Sequence, residues 1–182
     1  TYKFIIDDCR ARFLVVSSEL YPSFEGPLLE STDLECVIIS GEHTYDNRAL
    51  MTDLMLDVDD SLETAGTTVD DVAFWLYSSG LTGQPKGVKH LHSSIINTAK
   101  LYGQPILGIR EHDIVFSAAK LFFAYGLGNA MSFPMSVGAT TILFDGRPTP
   151  DAVMDILAKY EPTIFYGVPT LYAAILASQK HN

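Results

Sequence analysis

The sequence predicts an α/β fold, built mainly of parallel sheet layers with flanking helices. Short apolar runs of strand length alternate along the chain with longer stretches whose apolar residues recur at helical spacing. Because strand–helix–strand units place consecutive strands parallel, this alternation favours parallel sheets. Hydrophobic residues make up 47% and charged residues 19% of the 182 residues, which indicates a folded chain with a substantial core.

The first half of the chain contains two strand-like runs separated by helical patterns. In order, the predicted elements are a helix (2–9), a strand (12–17), a partly helical segment broken near Pro22 and Gly26 (19–29), a strand (35–40) and a short helix (47–56). The acidic, Thr-rich residues 57–71 predict a surface connection to the next strand.

The second half repeats the strand–helix unit. In order, its predicted elements are two strands (72–77 and 88–92), a helix capped by Ser93 (93–107), a strand (113–117), an apolar helix buried on most faces (121–137), a strand (140–144), a helix (151–160), a strand (163–166) and a helix that starts at Pro169 (169–177).

Between the two strands of 72–92 lies the stretch YSSGLTGQPKG, residues 77–87. Glycines allow the backbone N–H groups to converge on one point, which suits an anion. Ser78, Ser79 and Thr82 can donate hydroxyl protons, and Lys86 adds a mobile positive charge. The stretch therefore predicts a hairpin that holds a polyphosphate. A Walker-type loop is excluded, since Gly87 rather than Ser or Thr follows Lys86 and the next residues are extended.

A second informative stretch is KLFFAYGLG, residues 120–128. Its aromatic side chains can be core residues of a buried helix, or they can be the flat walls of a pocket for an aromatic ring. In the second interpretation Phe123 and Tyr125 stack on the ring, while Ala124 and Gly126 leave room for it.

The net charge of −10 makes nucleic acid and anionic membranes poor partners. The longest nearly apolar stretch, 121–135, is too short to span a bilayer, and no signal-peptide leader is visible. We therefore expect a cytoplasmic protein with reduced thiols at Cys9 and Cys36.

Metal and hydrolase sites are not expected. His90 and His92 would share one face of a strand, but no third metal ligand is evident nearby, so packing or hydrogen-bonding roles are favoured. No Gly-x-Ser-x-Gly elbow occurs, so a hydrolase lacks its nucleophile.

The stretch 77–87 resembles the phosphate-binding signature of the adenylate-forming enzymes, which include acyl- and aryl-CoA synthetases, luciferases and adenylation domains of peptide synthetases. One departure is Leu81, where the family usually has Ser or Thr. If that hydroxyl bonds a phosphate oxygen, its loss costs roughly 1.5–3 kcal/mol. Residues 117–130, 146–153 and 165–167 are most similar to benzoate-CoA ligases.

The resemblance implies a two-step reaction. A benzoate-like carboxylate attacks the α-phosphate of ATP–Mg²⁺ and releases pyrophosphate, and the CoA thiol then displaces AMP from the aryl-adenylate. The expected ATP phosphate-binding residues are Ser78, Ser79, Gly80, Leu81, Thr82, Gly83 and Lys86. The expected acid-pocket residues are Phe123, Ala124, Tyr125 and Gly126.

The resemblance also implies that residues 1–182 form a single partial domain, from the centre of the large N-terminal AMP-binding domain and without the C-terminal lid domain. The main Mg²⁺ ligand is then expected outside the chain, and so are the adenine and ribose contacts and the adenylation lysine. We expect the isolated chain to be inactive and to self-associate. Two alternatives stay open: a non-catalytic nucleotide-binding or packing module, and a synthetase for a fatty or hydroxycinnamic acid, against which Tyr125 argues.

Overall fold

The chain divides into two units, each with its own parallel sheet. Unit 1 comprises Thr1–Thr67 and Tyr77–Val88, and unit 2 comprises Thr68–Leu76 and Lys89–Asn182. The computed structural model describes residues 2–26, 30–31, 33–45, 48–56, 58–79 and 83–178. The predicted α/β class with parallel sheets and flanking helices is confirmed.

Unit 1 is built around a three-stranded parallel sheet in the order β1–β2–β3. Its elements are helix α1 (Tyr2–Asp8), strand β1 (Phe13–Ser17), a 3₁₀ turn (Tyr21–Ser23), strands β2 (Cys36–Ser40) and β3 (Ala49–Leu50), and helix α2 (Met51–Leu56). Side chains alternate across a strand, so Val37 and Ile39 of β2 share one face, where they pack with Ile6, Val16 and Tyr21 in a buried core.

Strand β3 takes the place of the first turn of the helix predicted over 47–56. Ala49 pairs with Ile38 and Leu50 pairs with Ile39, so β2 recruits two residues of the predicted helix into the sheet. A strand this short has no periodicity of its own, and only its partner strand defines it.

A hairpin of strands β4 (Val72–Ser79) and β5 (Pro85–Leu91) follows, as predicted. The strand predicted over 88–92 is wrong at both ends, because β5 begins at Pro85 and His92 is already the first residue of helix α3 (His92–Thr98). His90 and His92 therefore do not share a strand face. His90 instead stacks on Phe74, with ring centroids 4.9 Å apart.

The cap of α3 also differs from the prediction. Leu91, not Ser93, occupies the N-cap position, and the Oγ of Ser94 accepts a hydrogen bond of 3.2 Å from the Leu91 backbone N–H. The helix widens into a π-helical turn at Ala99–Gly103, where the N–H of Gln104 reaches the carbonyl of Ala99. It thus ends before Leu107, the predicted end.

Unit 2 has a parallel sheet in the order β7–β6–β8. After α3 its elements are β6 (Ile114–Ser117), α4 (Ala124–Leu127, continued by a π-helical turn Gly128–Ser132 and Phe133–Met135), β7 (Thr140–Ile142), α5 (Pro150–Tyr160), β8 (Ile164–Tyr166) and α6 (Pro169–Ala177). Both α5 and α6 carry Pro in their first turn, and the Thr149 Oγ1 caps α5 by accepting from the Ala152 N–H at 3.3 Å.

The central strand β6 is covered on both faces. Phe116 packs with Val153, Ile156 and Leu171 of α5 and α6. The neighbouring Val115 points to the other face and packs in a second cluster with Ala99, Ile109 and Phe133. Both Val115 and Phe116 are fully buried, so β6 fixes where its carboxyl end delivers the following residues.

The apolar helix predicted over 121–137 is shorter than expected. Residues 121–123 form a turn in which the Phe123 N–H bonds the Lys120 carbonyl at 3.1 Å, and helix α4 begins only at Ala124. The prediction that residues 121–137 are buried on most faces is wrong for the first of them, since Phe122 is 72% and Phe123 56% exposed. Across the described residues, none of the helices combines the length and apolar character needed to cross a membrane.

Candidate functional site

The tip of the hairpin brings together the two ends of the predicted phosphate-binding stretch, residues 77–87. Ser78 and Ser79 end β4, and Pro85 and Lys86 begin β5. The connection between them is too short for a parallel crossover, so the strands run antiparallel and both pairs lie at the same end of the hairpin. Predicted loop residues Gly80, Leu81 and Thr82 lie outside the described residues.

The described part of this tip is suited to an anion. Ser78, Ser79 and Lys86 are exposed, and Lys86 forms no ion pair with any residue that the structure describes. Gly83 has φ of +87°, a conformation that glycine adopts without strain. The tip therefore offers hydroxyl donors and an uncommitted ammonium group on a turn that needs glycine.

The strand that leads into the tip is anchored by Tyr77. Its hydroxyl donates to the Oδ2 of Asp8 in α1 at 2.6 Å. Burial is the largest cause that raises the pKa of Tyr77 well above its ordinary value, and the contact with Asp8 adds to it. This hydroxyl therefore stays a neutral donor at physiological pH. Within unit 1, α1 thus holds the end of β4 where the phosphate stretch starts.

The second predicted site lies at the start of α4, in unit 2. Ala124 and Tyr125 line a cavity of about 230 Å³ that we call the aromatic cavity. Its remaining walls are Tyr102, Gly128, Asn129, Phe133 and Tyr166. The rings of Tyr125 and Tyr166 meet edge to face, with centroids 6.4 Å apart.

Tyr125 also lines a larger space of about 720 Å³, which we call the large cleft. Its walls include Lys120, Phe123, Tyr125, Arg147, Pro148, Thr149, Val168 and Leu171. Tyr125 therefore borders both spaces, whereas Phe123 borders only the large cleft and Ala124 only the aromatic cavity.

Polar atoms in the walls of the aromatic cavity are sparsely paired. The Tyr125 hydroxyl makes a long hydrogen bond of 3.4 Å to the Gly167 carbonyl, while Asn129 Nδ2 and the Tyr166 hydroxyl are buried without a hydrogen-bond partner among the described residues. Burial is the main cause that raises the pKa of both tyrosines.

Gly126 has a different place from the other three predicted pocket residues. It is buried and lines neither space, and a Cβ at this position would overlap the carbonyl oxygen of Lys120 and lie 2.7 Å from that of Ala119. Its role in the structure is to let the first turn of α4 lie directly on the backbone that follows β6.

Sequence reasoning missed Asn129, Tyr166 and Lys120 as neighbours of this site. Asn129 follows Tyr125 by four residues and so lies on the same helix face, a signal that the sequence contained. Tyr166 comes from β8, which pairs with β6, and only the tertiary pairing shows that it meets Tyr125.

Parallel α/β sheets, a hydroxyl- and glycine-rich hairpin and an aromatic cavity are what the resemblance to the adenylate-forming enzymes predicts. Comparison with known proteins agrees: the family described as AMP-binding enzyme matches residues 1–182. The chain belongs to this family, which confirms the resemblance drawn from residues 77–87.

Two of the similar proteins are aromatic acid–CoA ligases. The chain is 52% identical over 177 residues to a benzoate–CoA ligase of Thauera aromatica. The matched region covers 97% of this chain and 33% of that protein. It is 46% identical over 179 residues to a 4-hydroxybenzoate–CoA/benzoate–CoA ligase of Rhodopseudomonas palustris, with 98% and 33% covered. The chain thus spans about a third of the length of these relatives.

Solved structures show the same fold. A benzoate CoA ligase from Burkholderia xenovorans LB400 matches with a TM-score of 0.87 and 43% identity, over 100% of this chain and 35% of that one. An anthranilate CoA ligase in complex with anthranoyl-AMP matches with a TM-score of 0.94 and 39% identity, over 98% and 35%.

Replacement of Gly126 tests the packing at the start of α4. We expect Gly126→Ala to lower the free energy of unfolding by roughly 1–3 kcal/mol, because the added Cβ must displace backbone rather than a flexible side chain. Urea denaturation of the chain measures this change. Gly66→Ala is the control, since a Cβ at Gly66 meets nothing within 4 Å, and it should shift stability by about 0.5 kcal/mol or less. Equal effects of the two substitutions would contradict the packing argument.

Proposed function

We propose that the protein to which this chain belongs activates benzoate or a related aromatic carboxylic acid with ATP, forming an acyl-adenylate and pyrophosphate, and then transfers the acyl group to CoA with release of AMP. The aromatic cavity carries the proposal. An apolar cavity of roughly 150 Å³ is enough to bind benzene in an engineered protein. A cavity of about 230 Å³ walled by tyrosine and phenylalanine rings is therefore suited to one substituted ring.

The hairpin tip supplies the phosphate chemistry in this proposal. Ser78, Ser79 and Lys86 contact the departing pyrophosphate oxygens, and the backbone of the glycine-rich turn adds N–H donors. Gly80, Leu81, Thr82 and Gly83 complete the phosphate-binding stretch. Such groups act mainly by positioning the phosphates and by neutralising their charge, since the protein itself takes little covalent part in reactions at phosphorus.

Mg²⁺ accompanies ATP in this proposal. Within the part of the chain that the structure describes, no group of three or more His, Cys, Asp or Glu side chains could hold a metal ion. Mg²⁺ is commonly held by substrate phosphates with one or two carboxylates. We therefore propose that the nucleotide brings the ion to the hairpin tip and that its main protein ligand comes from outside this chain.

The acid lies with its ring in the aromatic cavity, against Tyr125 and between Ala124, Phe133 and Tyr166. The large cleft, which Tyr125 and Phe123 border, leaves room beyond the ring. Gly126 contributes by bringing α4 close to the end of β6. We further propose a cytoplasmic enzyme whose partners are ATP, an aromatic carboxylate and CoA. The net charge of −10 argues against nucleic acid and anionic membranes as partners.

Lys86 tests the phosphate role. In the full-length protein, Lys86→Ala should slow benzoate-dependent exchange of pyrophosphate into ATP by about tenfold or more, since about 1.4 kcal/mol of lost stabilisation gives a factor of ten. Lys89→Ala is a matched control that removes a lysine from the same strand; the Lys89 ammonium lies 4.6 Å from the Trp75 ring centroid. Unchanged exchange at subsaturating ATP in Lys86→Ala would remove Lys86 from the phosphate site.

Tyr125 tests the acid pocket. The full-length protein should prefer benzoate to hexanoate in kcat/KM, and Tyr125→Ala should erode this preference by about tenfold while it changes the KM for ATP little, because the substitution removes one flat wall. Phe122→Ala is the control, since Phe122 borders neither the aromatic cavity nor the large cleft. Equal kcat/KM values for the two acids in the unaltered protein would refute the aromatic pocket.

We also propose that residues 1–182 are a single partial domain of a larger ligase, and this can be tested with the chain itself. Incubated with benzoate, Mg–ATP and CoA, the purified chain should form no benzoyl-CoA or AMP detectable by chromatography. The reason is that several preorganised groups would be missing together, each contributing a few kcal/mol. Exposed apolar side chains, among them Phe13 and Met135, favour self-association of the isolated chain. Sustained, acid-dependent formation of both products would contradict the proposal.

A further inference from the structure

Lys120 connects the segment after β6 to the segment after β7. Its ammonium group donates to the carbonyl oxygens of Phe144 at 2.5 Å and Gly146 at 2.6 Å. The same Nζ lies 5.0 Å from the centroid of the Phe144 ring, within cation–π distance. Charge-assisted hydrogen bonds of this length are stronger than neutral ones, so the Lys120 side chain adds a strong connection between the two segments.

The backbone of Lys120 makes a second connection. Its carbonyl oxygen accepts the N–H of Phe123 at 3.1 Å and lies directly against Gly126 in the first turn of α4. The direction in which Phe123 and Tyr125 leave the backbone therefore depends on where Lys120 lies.

The segment that Lys120 holds continues into the wall of the large cleft. Arg147, Pro148 and Thr149 follow Gly146 directly and face the same space as Phe123 and Tyr125. Lys120 itself borders the large cleft, and no carboxylate among the described residues forms an ion pair with it. Its side chain is thus committed to two backbone carbonyls of the segment that leads into Arg147, so it ties together two segments that border the large cleft.

We propose that Lys120 is a positioning residue for the aromatic acid: by tying residues 144–146 to the Phe123–Tyr125 segment, it sets the width of the large cleft and the orientation of Tyr125. This inference rests on the proposed function, since it concerns the same acid site. Misplacement of a binding wall by about 1 Å can cost up to about a hundredfold in rate, so loss of the connection has a kinetic consequence.

The experiment uses the full-length protein and two substitutions. Lys120→Met keeps the length of the side chain and removes its donors and charge, whereas Lys120→Arg keeps both. We expect Lys120→Met to raise the KM for benzoate about tenfold in pyrophosphate exchange, with the KM for ATP changed by about twofold or less. Lys120→Arg should recover most of the affinity for benzoate.

A general structural role would give a different pattern, because a loosened fold weakens both substrates. Equal rises in the two KM values, or an unchanged KM for benzoate in Lys120→Met, would overturn the inference, and a thermal-denaturation scan of each variant reports any loss of folded protein. If Lys120→Met does not fold, Lys120→Gln is measured in its place and must show the same selective rise, of at least about threefold. Absence of aromatic-acid-dependent exchange in the unaltered protein would instead refute the proposed function itself.

Discussion

The contact between Gly126 and the carbonyl of Lys120 is the constraint on which the proposed acid site depends. Any side chain at position 126 would separate the first turn of α4 from the backbone after β6. That turn carries Phe123 and Tyr125, so this backbone-to-backbone contact helps to place their rings, which are about half exposed. The aromatic residues are thus held firmly at the backbone and are open at the ring.

The parallel sheet explains why residues so distant in sequence meet at this site. Strands β6 and β8 run parallel as neighbours, so the residues at their carboxyl ends emerge at one edge. Ligands of open α/β sheets bind at this edge. Lys120 and Tyr125 follow β6, Tyr166 is the last residue of β8, and Gly167 comes directly after it. For this reason the Tyr125 hydroxyl reaches the Gly167 carbonyl. The buried Val115 and Phe116 keep β6 in register, so the core supports the site directly.

Sequence patterns predicted what depends on local chemistry and missed what depends on pairing. The glycines and hydroxyls of residues 77–87 predicted the hairpin, and Pro169 predicted the start of α6. The strand β3 and the true ends of β5 were not predictable, since partner strands and not the residues themselves define them. For the site, the aromatic run predicted that Ala124 and Tyr125 line a cavity. It did not predict that Lys120 reaches the carbonyls of Phe144 and Gly146, because every residue has a backbone carbonyl and the sequence does not show which of them a side chain meets.

Net charge places a further demand on the hairpin tip. With a formal charge of −10, the chain as a whole repels a polyphosphate, but at physiological ionic strength this repulsion is largely screened beyond about 8 Å. In the proposed phosphate site, affinity must therefore come from groups within hydrogen-bond reach. An exposed lysine would contribute as a mobile point charge, whereas the backbone of Ser78 and Ser79 is held at the end of β4. In this proposal the end of the hairpin, anchored at Tyr77 by Asp8, positions the hydroxyls beside the charge of Lys86.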